Sequence, residues 1–322
     1  MSAVPNKLDE PTWSQQWQRA WESFWFTPAD PRPLAAVRIV VGLTALIYLW
    51  SFSYDLARWF GPHGLVPEDT ARLIARGPDE RTLYRYSLLS LARSPAELWV
   101  VHVASIAAAA ALTIGLATRL SAVLTLACVL SYAHRAPVIG GLLEPVLSMF
   151  LFYLCFAPAG TSCSLDKLLG MPAWLCGSDR PGVAAAICLR LMQIHLAALY
   201  AVMGASKLYG NAWWDGDAIW LLVAQTHSRP LDLTGLREWP YLLSGWAHLV
   251  AYTQLAFPAL VWSRLTRPIM LALATLTWLS LIPVTGQTLF CLFMIATSVV
   301  YLPGWVWRWG GSARDAALIG GG

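Results

Sequence analysis

Polar side chains recur at seven-residue intervals along one apolar stretch of the chain, and their types could support chemistry. Gln193, Tyr200 and Lys207 occupy these positions, and at about 100° per residue they fall within roughly 40° of one another around a helix. Arg190 and Gly204 flank the same stripe. A polar stripe on an apolar helix must face other protein or a water-filled cavity. The spacing therefore predicts a binding site along one face of this helix.

Lys207 carries the most reactive group of this stripe. Removing an ammonium from water favours the neutral amine, which is a competent base or nucleophile. Trp213 and Trp214 follow a few residues later, so apolar surroundings are expected. The alternative is that Lys207 extends to the membrane interface and binds a lipid phosphate, as lysines at the ends of spans commonly do. Both interpretations stay open from the sequence.

Glu144 is an acidic residue at the edge of an apolar segment. It stands at the predicted start of a helix, where the exposed backbone amides stabilise an acid. The alternative is a counter-ion for Arg38 or Arg190, and Arg38 is expected to pair with an acid or with carbonyls at a helix end.

Lys207 is the predicted catalytic residue, and the predicted ligand-binding residues are Gln193, Tyr200, Glu144, Arg190, Gly204 and Trp214.

The histidines and cysteines do not indicate a metal site. His102, His195 and His248 are single histidines in apolar segments, and we interpret them as packing or hydrogen-bonded residues. The sequence has no His-Glu pair at helical spacing and no CxxC motif, so no metal is expected. Cys163 and Cys176 lie in one loop and are candidates for a disulfide, but free thiols are favoured.

The composition is that of a membrane protein. Of the 322 residues, 57% are hydrophobic and 12% are charged, against roughly 25% charged in a soluble domain, and the mean hydropathy is +0.54. Residues 98–118, 239–263 and 268–307 contain no Asp, Glu, Lys or Arg. Because about 20 apolar residues cross a bilayer, the chain is predicted to cross several times. This excludes a disordered chain, a nucleic-acid binder and an ordinary soluble enzyme.

Eight apolar segments are predicted to span the membrane, so the predicted fold is an all-α, polytopic membrane helix bundle. They cover residues 35–54, 97–117, 119–134, 141–157, 184–207, 241–262, 268–283 and 287–303. Before them, Trp13, Trp17 and Trp21 recur every four residues, which predicts an amphipathic helix in the bilayer interface. Packing of this helix on a partner protein is the alternative. The predicted organisation is an interfacial helix at 1–33, a transmembrane domain at 34–305 and a short tail at 306–322.

Seven short motifs stand in a fixed order along the chain. They are RIVVG at 38–42, FGPHGL at 60–65, GLATRLS at 115–121, SYAHR at 131–135, SLD at 164–166, GASKL at 204–208 and WDG at 214–216. In their order and spacing the chain resembles the horizontally transferred transmembrane domain family, the membrane part of the vitamin K-dependent gamma-carboxylases. The resemblance covers about residues 15–305. Each motif is short, and their shared order and spacing carry the resemblance.

The resemblance implies a lysine base at the Lys207 position. In the carboxylases this base deprotonates a vitamin K hydroquinone, and oxygen then generates a strong base that removes a glutamate γ-proton before carbon dioxide adds. This sequence has Leu143 or Glu144 where the family has a histidine, and Gln254 where relatives often have an acid. The large extramembrane domain that carboxylases place after the spans is not expected here either. These departures argue against peptide γ-carboxylation.

We therefore expect a multi-pass integral protein of the plasma or inner membrane, with both termini on the cytoplasmic side. The expected cofactor is a reduced quinone of the vitamin K or menaquinone type. The expected partners are membrane lipid and a peptide or protein substrate, with no nucleic acid. The alternative is a non-catalytic membrane protein that binds lipid or a partner peptide. A transporter is less favoured, because no paired broken helices or internal repeats are visible.

Overall fold

The computed structural model describes residues 12–61, 64–67, 70–71, 73, 86–178, 180–225, 230–303 and 306. Regular secondary structure in these ranges is helical, apart from an isolated antiparallel bridge between Ala29 and Gly182. The long helices are α1 (Trp13–Phe26), α2 (Arg32–Ser51), α3 (Pro95–Ile114), α4 (Thr118–Arg135), α5 (Leu143–Phe156), α6 (Val183–Leu208), α7 (Pro240–Leu260), α8 (Arg267–Thr285) and α9 (Thr288–Thr297).

Shorter helices occupy the connections. Short α-helices lie at Leu56–Phe60, Leu165–Leu168, Ala173–Cys176, Asn211–Trp214 and Ala218–Ala224, and 3-10 helices lie at Leu88–Leu91, Thr234–Glu238 and Ser298–Tyr301.

Each predicted span coincides with one of the helices α2 to α9. Within the described ranges, four of them, α2, α3, α6 and α8, are long and apolar enough to cross a membrane. Helices α5 and α9 are apolar but have only 14 and 10 residues, and a bilayer core about 30 Å thick needs about 20 residues. The all-helical fold is therefore confirmed, and a count of eight spans stays a prediction.

Helix α1 forms over the predicted aromatic segment. It begins with a capping box, in which the Thr12 side chain accepts a hydrogen bond from the Gln15 backbone and the Gln15 side chain accepts one from Thr12. Trp13 and Trp17 contact each other edge to face, with ring centroids 5.8 Å apart. Helix α1 packs against α6, and its placement in the bilayer interface stays a prediction.

Helix α2 lies at the centre of the bundle. It contacts α3, α4, α5, α6 and α9, so its buried face includes Leu34, Val37 and Val41. Helices α6, α7, α8 and α9 pack against one another in chain order. Pro258 lies inside α7, where it removes the backbone N–H that would bond to the carbonyl four residues earlier.

A buried charge joins α2 to the connection after α5. The Arg38 side chain is fully buried, and its guanidinium donates to the carbonyls of Ala159 at 3.1 Å and Cys163 at 2.6 Å. The sequence predicts that Arg38 pairs with an acid or with carbonyls at a helix end, and its two partners are instead carbonyls within the connection after α5. Asp166 adds a favourable electrostatic interaction with Arg38. Cys163 and Cys176 are free thiols, as favoured from the sequence.

Asp166 holds the turn between α3 and α4. Its carboxylate accepts hydrogen bonds from the Ala117 N–H at 2.6 Å, the Thr118 N–H at 2.9 Å and the Thr118 hydroxyl at 2.6 Å. Ala117 has a φ of 46° and Gly115 a φ of 73°. A Cβ at Gly115 would overlap the Arg38 guanidinium. This turn therefore requires glycine at 115 and an anion at 166.

The Asp166→Ala variant should unfold more easily than the wild type. It leaves three buried donors without their acceptor, at a cost of about 1–3 kcal/mol for each donor that finds no other partner. Thermal unfolding in detergent micelles measures the loss, and Lys167→Ala, which truncates the exposed neighbouring side chain, is the control. Equal melting temperatures for the two variants would contradict this account of the turn.

Candidate functional site

The Lys207 amine lies in the last turn of α6 among neutral partners. Its Nζ donates to the Gln254 Oε1 of α7 at 2.7 Å and to the Met203 carbonyl at 3.2 Å. It also lies 4.7 Å from the centroid of the Trp213 ring, within the range of a cation–π interaction. The side chain is half-buried. These contacts hold the amine in one place, and no described residue forms an ion pair with it.

Gly204 permits the close approach that brings Gln254 to Lys207. A Cβ at position 204 would lie 2.8 Å from the Leu255 backbone nitrogen and 3.0 Å from the Gln254 carbonyl carbon. The backbones of α6 and α7 therefore touch one turn before the lysine. The sequence predicts a neighbour or a ligand at the backbone of Gly204; the structure has α7 there, and a role of Gly204 in ligand binding stays a prediction.

The indole that contacts the amine belongs to Trp213, and the predicted ligand-binding residue Trp214 lies beside it. Both residues lie on the short helix Asn211–Trp214. Trp214 instead donates its Nε1–H to the Leu208 carbonyl at 2.9 Å and covers the end of α6. Sequence reasoning also missed Gln254 as the partner of Lys207. The signal for it was a lone amide in an otherwise apolar helix.

Tyr200 lies two turns before Lys207 and is packed inside the bundle. Its hydroxyl accepts a hydrogen bond from the Trp278 Nε1–H at 2.6 Å, and its ring stacks on Phe257 with centroids 3.9 Å apart. The side chain has no exposed surface. Tyr200 therefore joins α6 to α7 and α8, and it does not line an open cavity in this structure.

Gln193 and Arg190 lie in the first half of α6, far from Lys207. Arg190 and Lys207 are 17 residues apart, which corresponds to about 26 Å along a helix axis. Gln193 donates its Nε2–H to the Val300 carbonyl at 2.7 Å and accepts a hydrogen bond from Arg190 at 3.0 Å. The polar stripe of α6 is therefore not one site: Arg190 and Gln193 form a group in the first half, and Lys207 lies in the last turn.

Glu144 lies in the first turn of α5. Its Oε2 accepts a hydrogen bond from the Gly141 N–H at 2.8 Å, and its carboxylate also hydrogen-bonds to the Tyr48 side chain. In the described part of the chain it forms no ion pair with Arg38 or Arg190. The bonded N–H precedes the helix, so Glu144 ties the segment before α5 and the Tyr48 side chain to the start of α5 rather than capping the helix itself.

The histidines that the sequence assigned to packing are hydrogen-bonded between helices. His195 contacts the Tyr153 hydroxyl at 2.7 Å, and His102 contacts the Tyr132 hydroxyl at 2.6 Å and the Ser53 hydroxyl at 3.0 Å. Among the residues placed by the structure, no three His, Cys, Asp or Glu side chains are grouped as metal ligands.

The chain matches no family model, no curated protein and no solved structure. Its own features therefore define its class. The four long apolar helices indicate a membrane-embedded, all-helical protein. The family resemblance carried by the short sequence motifs stays a prediction.

Replacing Gly204 with Ala should separate α6 from α7 and displace Gln254 from the amine. The added Cβ meets backbone atoms, and overpacking of this kind costs about 1–3 kcal/mol. The matched control is Gly245→Ala on α7, where an added Cβ meets no atom within 4 Å and helix propensity favours Ala by about 0.5–1 kcal/mol. The melting temperature should fall for the first variant and not for the second, and a fall for both would contradict the close approach at Gly204.

Proposed function

We propose that this protein is a multi-pass membrane enzyme in which the Lys207 amine acts as the base toward a reduced quinone of the vitamin K or menaquinone class. The observation that carries the proposal is the set of contacts at Nζ, which are two neutral oxygens and an indole ring. Within the described residues, no carboxylate forms an ion pair with Lys207. The resemblance of the GASKL motif to the corresponding motif of the carboxylase membrane domain supports the same role.

The proposed step is a proton transfer. The neutral amine takes the proton from a quinol hydroxyl, the O–H bond breaks, an N–H bond forms, and the electron pair stays on the quinol oxygen. A carboxylate beside the lysine would hold it as an ammonium, whereas the Gln254 amide accepts a hydrogen bond without adding a charge. The Trp213 ring supplies a flat apolar surface beside the amine, which suits an aromatic ligand. Molecular oxygen would be the co-substrate, with one of its atoms ending in the quinone epoxide and the other in water.

Oxygen-dependent consumption of reduced menaquinone or reduced vitamin K by the protein in nanodiscs tests this proposal. Lys207→Ala should lower the rate by about 10²–10⁴-fold, the usual contribution of a general base. Lys207→Arg should be equally inactive, because a guanidinium stays protonated at all relevant pH values. Lys167→Ala, on the separate short helix Leu165–Leu168, should keep the wild-type rate.

A wild-type rate no higher than that of empty nanodiscs would count against enzymatic function, and full activity in Lys207→Ala would show that Lys207 is not the base. A non-catalytic lipid-binding protein is the second candidate, because Lys207 lies in the last turn of α6 and is only half-buried. In that case Lys207→Arg should bind lipid as the wild type does, since an arginine also binds phosphate.

We also propose that both termini lie on the cytoplasmic side of the plasma or inner membrane.

A further inference from the structure

A cavity of about 580 Å³ lies at the end of α6 that is remote from Lys207. It is enclosed by the end of α1, the first half of α6, the connection between α7 and α8, and the segment after α9. We call it the arginine cavity, because Arg190, Arg264 and Arg267 line it. Its lining also includes apolar residues, among them Phe24, Leu189, Trp262, Val300 and Leu302.

The arginine cavity holds positive charge without an acidic partner. None of the described residues that line it is Asp or Glu. Arg190 and Arg267 are close enough for their charges to repel each other. Asp30, which follows the lining residue Ala29, lies 3.8 Å from Arg32 and pairs with it instead. Like charges held together in a partly buried cavity are stabilised when an anion binds between them.

The protein fixes two of the guanidinium groups and leaves part of each free to bind. Arg190 uses one N–H to contact Gln193, and its guanidinium carbon lies 4.5 Å from the Phe24 ring centroid. Arg267 donates from Nε to the Val261 carbonyl at 3.0 Å and from Nη2 to the Trp262 carbonyl at 3.1 Å. A guanidinium has five N–H donors, so both groups retain donors in a fixed orientation. Arg264 is exposed at the edge of the cavity.

We propose that the arginine cavity binds the phosphate group of an anionic membrane lipid. Fixed guanidinium groups match the geometry of phosphate oxygen atoms and can bind two of them at once. The mixed lining adds apolar surface for the glycerol and upper acyl chains of the same molecule. Helix α1, with its exposed Trp13, Trp17 and Trp21, borders the cavity, and such aromatic helices lie at the depth of lipid head groups. This proposal does not depend on the chemistry proposed at Lys207.

The test measures lipid binding by native mass spectrometry and by the rise in melting temperature in a neutral detergent. The probes are phosphatidylglycerol, diacylglycerol, which lacks the phosphate, and inorganic phosphate, which lacks the lipid. Phosphatidylglycerol should bind and raise the melting temperature, and each of the other two should bind at least tenfold more weakly. If diacylglycerol bound equally well, the cavity would not recognise a phosphate. If inorganic phosphate bound equally well, the ligand would be free phosphate rather than a lipid.

Variants locate the binding in the cavity. Arg190→Gln and Arg264→Gln should each weaken phosphatidylglycerol binding about tenfold or more, as expected for the loss of a charge-assisted hydrogen bond. Arg264 has an exposed side chain, so its substitution tests the site without disturbing the helix packing. Arg237→Gln, which removes the same charge from the exposed 3-10 helix Thr234–Glu238, is the control. Wild-type affinity in both cavity variants, or an equal loss in the control, would overturn the proposal.

Discussion

The rest of the bundle depends on how the charge of Arg38 is accommodated inside it. A buried ion costs several kcal/mol unless hydrogen bonds and an opposite charge replace its water. Two carbonyls after α5 and the charge of Asp166 supply this replacement. Asp166 is itself held by the backbone at the start of α4. One electrostatic cluster thus links α2, the turn between α3 and α4, and the connection after α5.

Four of the seven sequence motifs that suggested a family resemblance lie in two separate spatial groups. Three motifs meet in the buried cluster, to which they contribute Arg38, Gly115, Thr118 and Asp166. The GASKL motif at 204–208 lies instead at the Lys207 site, where its glycine contacts α7 and its lysine contacts Gln254. Packing is sufficient to explain the residues of the first group, so the chemical argument for the resemblance rests on the second group.

Periodicity in the sequence predicted which face of α6 is polar, but not what each polar side chain contacts. Angular spacing places Gln193, Tyr200 and Lys207 on one stripe, yet their distances along the axis give them unrelated partners on other helices. The position of Glu144 in the first turn of a helix could be predicted, because the start of a helix depends on neighbours in the chain. The pairing of Lys207 with Gln254 could not, because it depends on the register between α6 and α7, which local sequence does not determine.

Pro258 has a consequence for the amide that binds the lysine. The residue four positions before this proline is Gln254, so the backbone carbonyl of Gln254 lacks the helical donor that every neighbouring turn provides. Bending α7 at this point breaks one hydrogen bond fewer than bending it elsewhere. Helix α7 therefore resists bending least at Gln254, the residue whose side chain holds the Lys207 amine. A small change in the curvature of α7 translates directly into the separation between amide and amine.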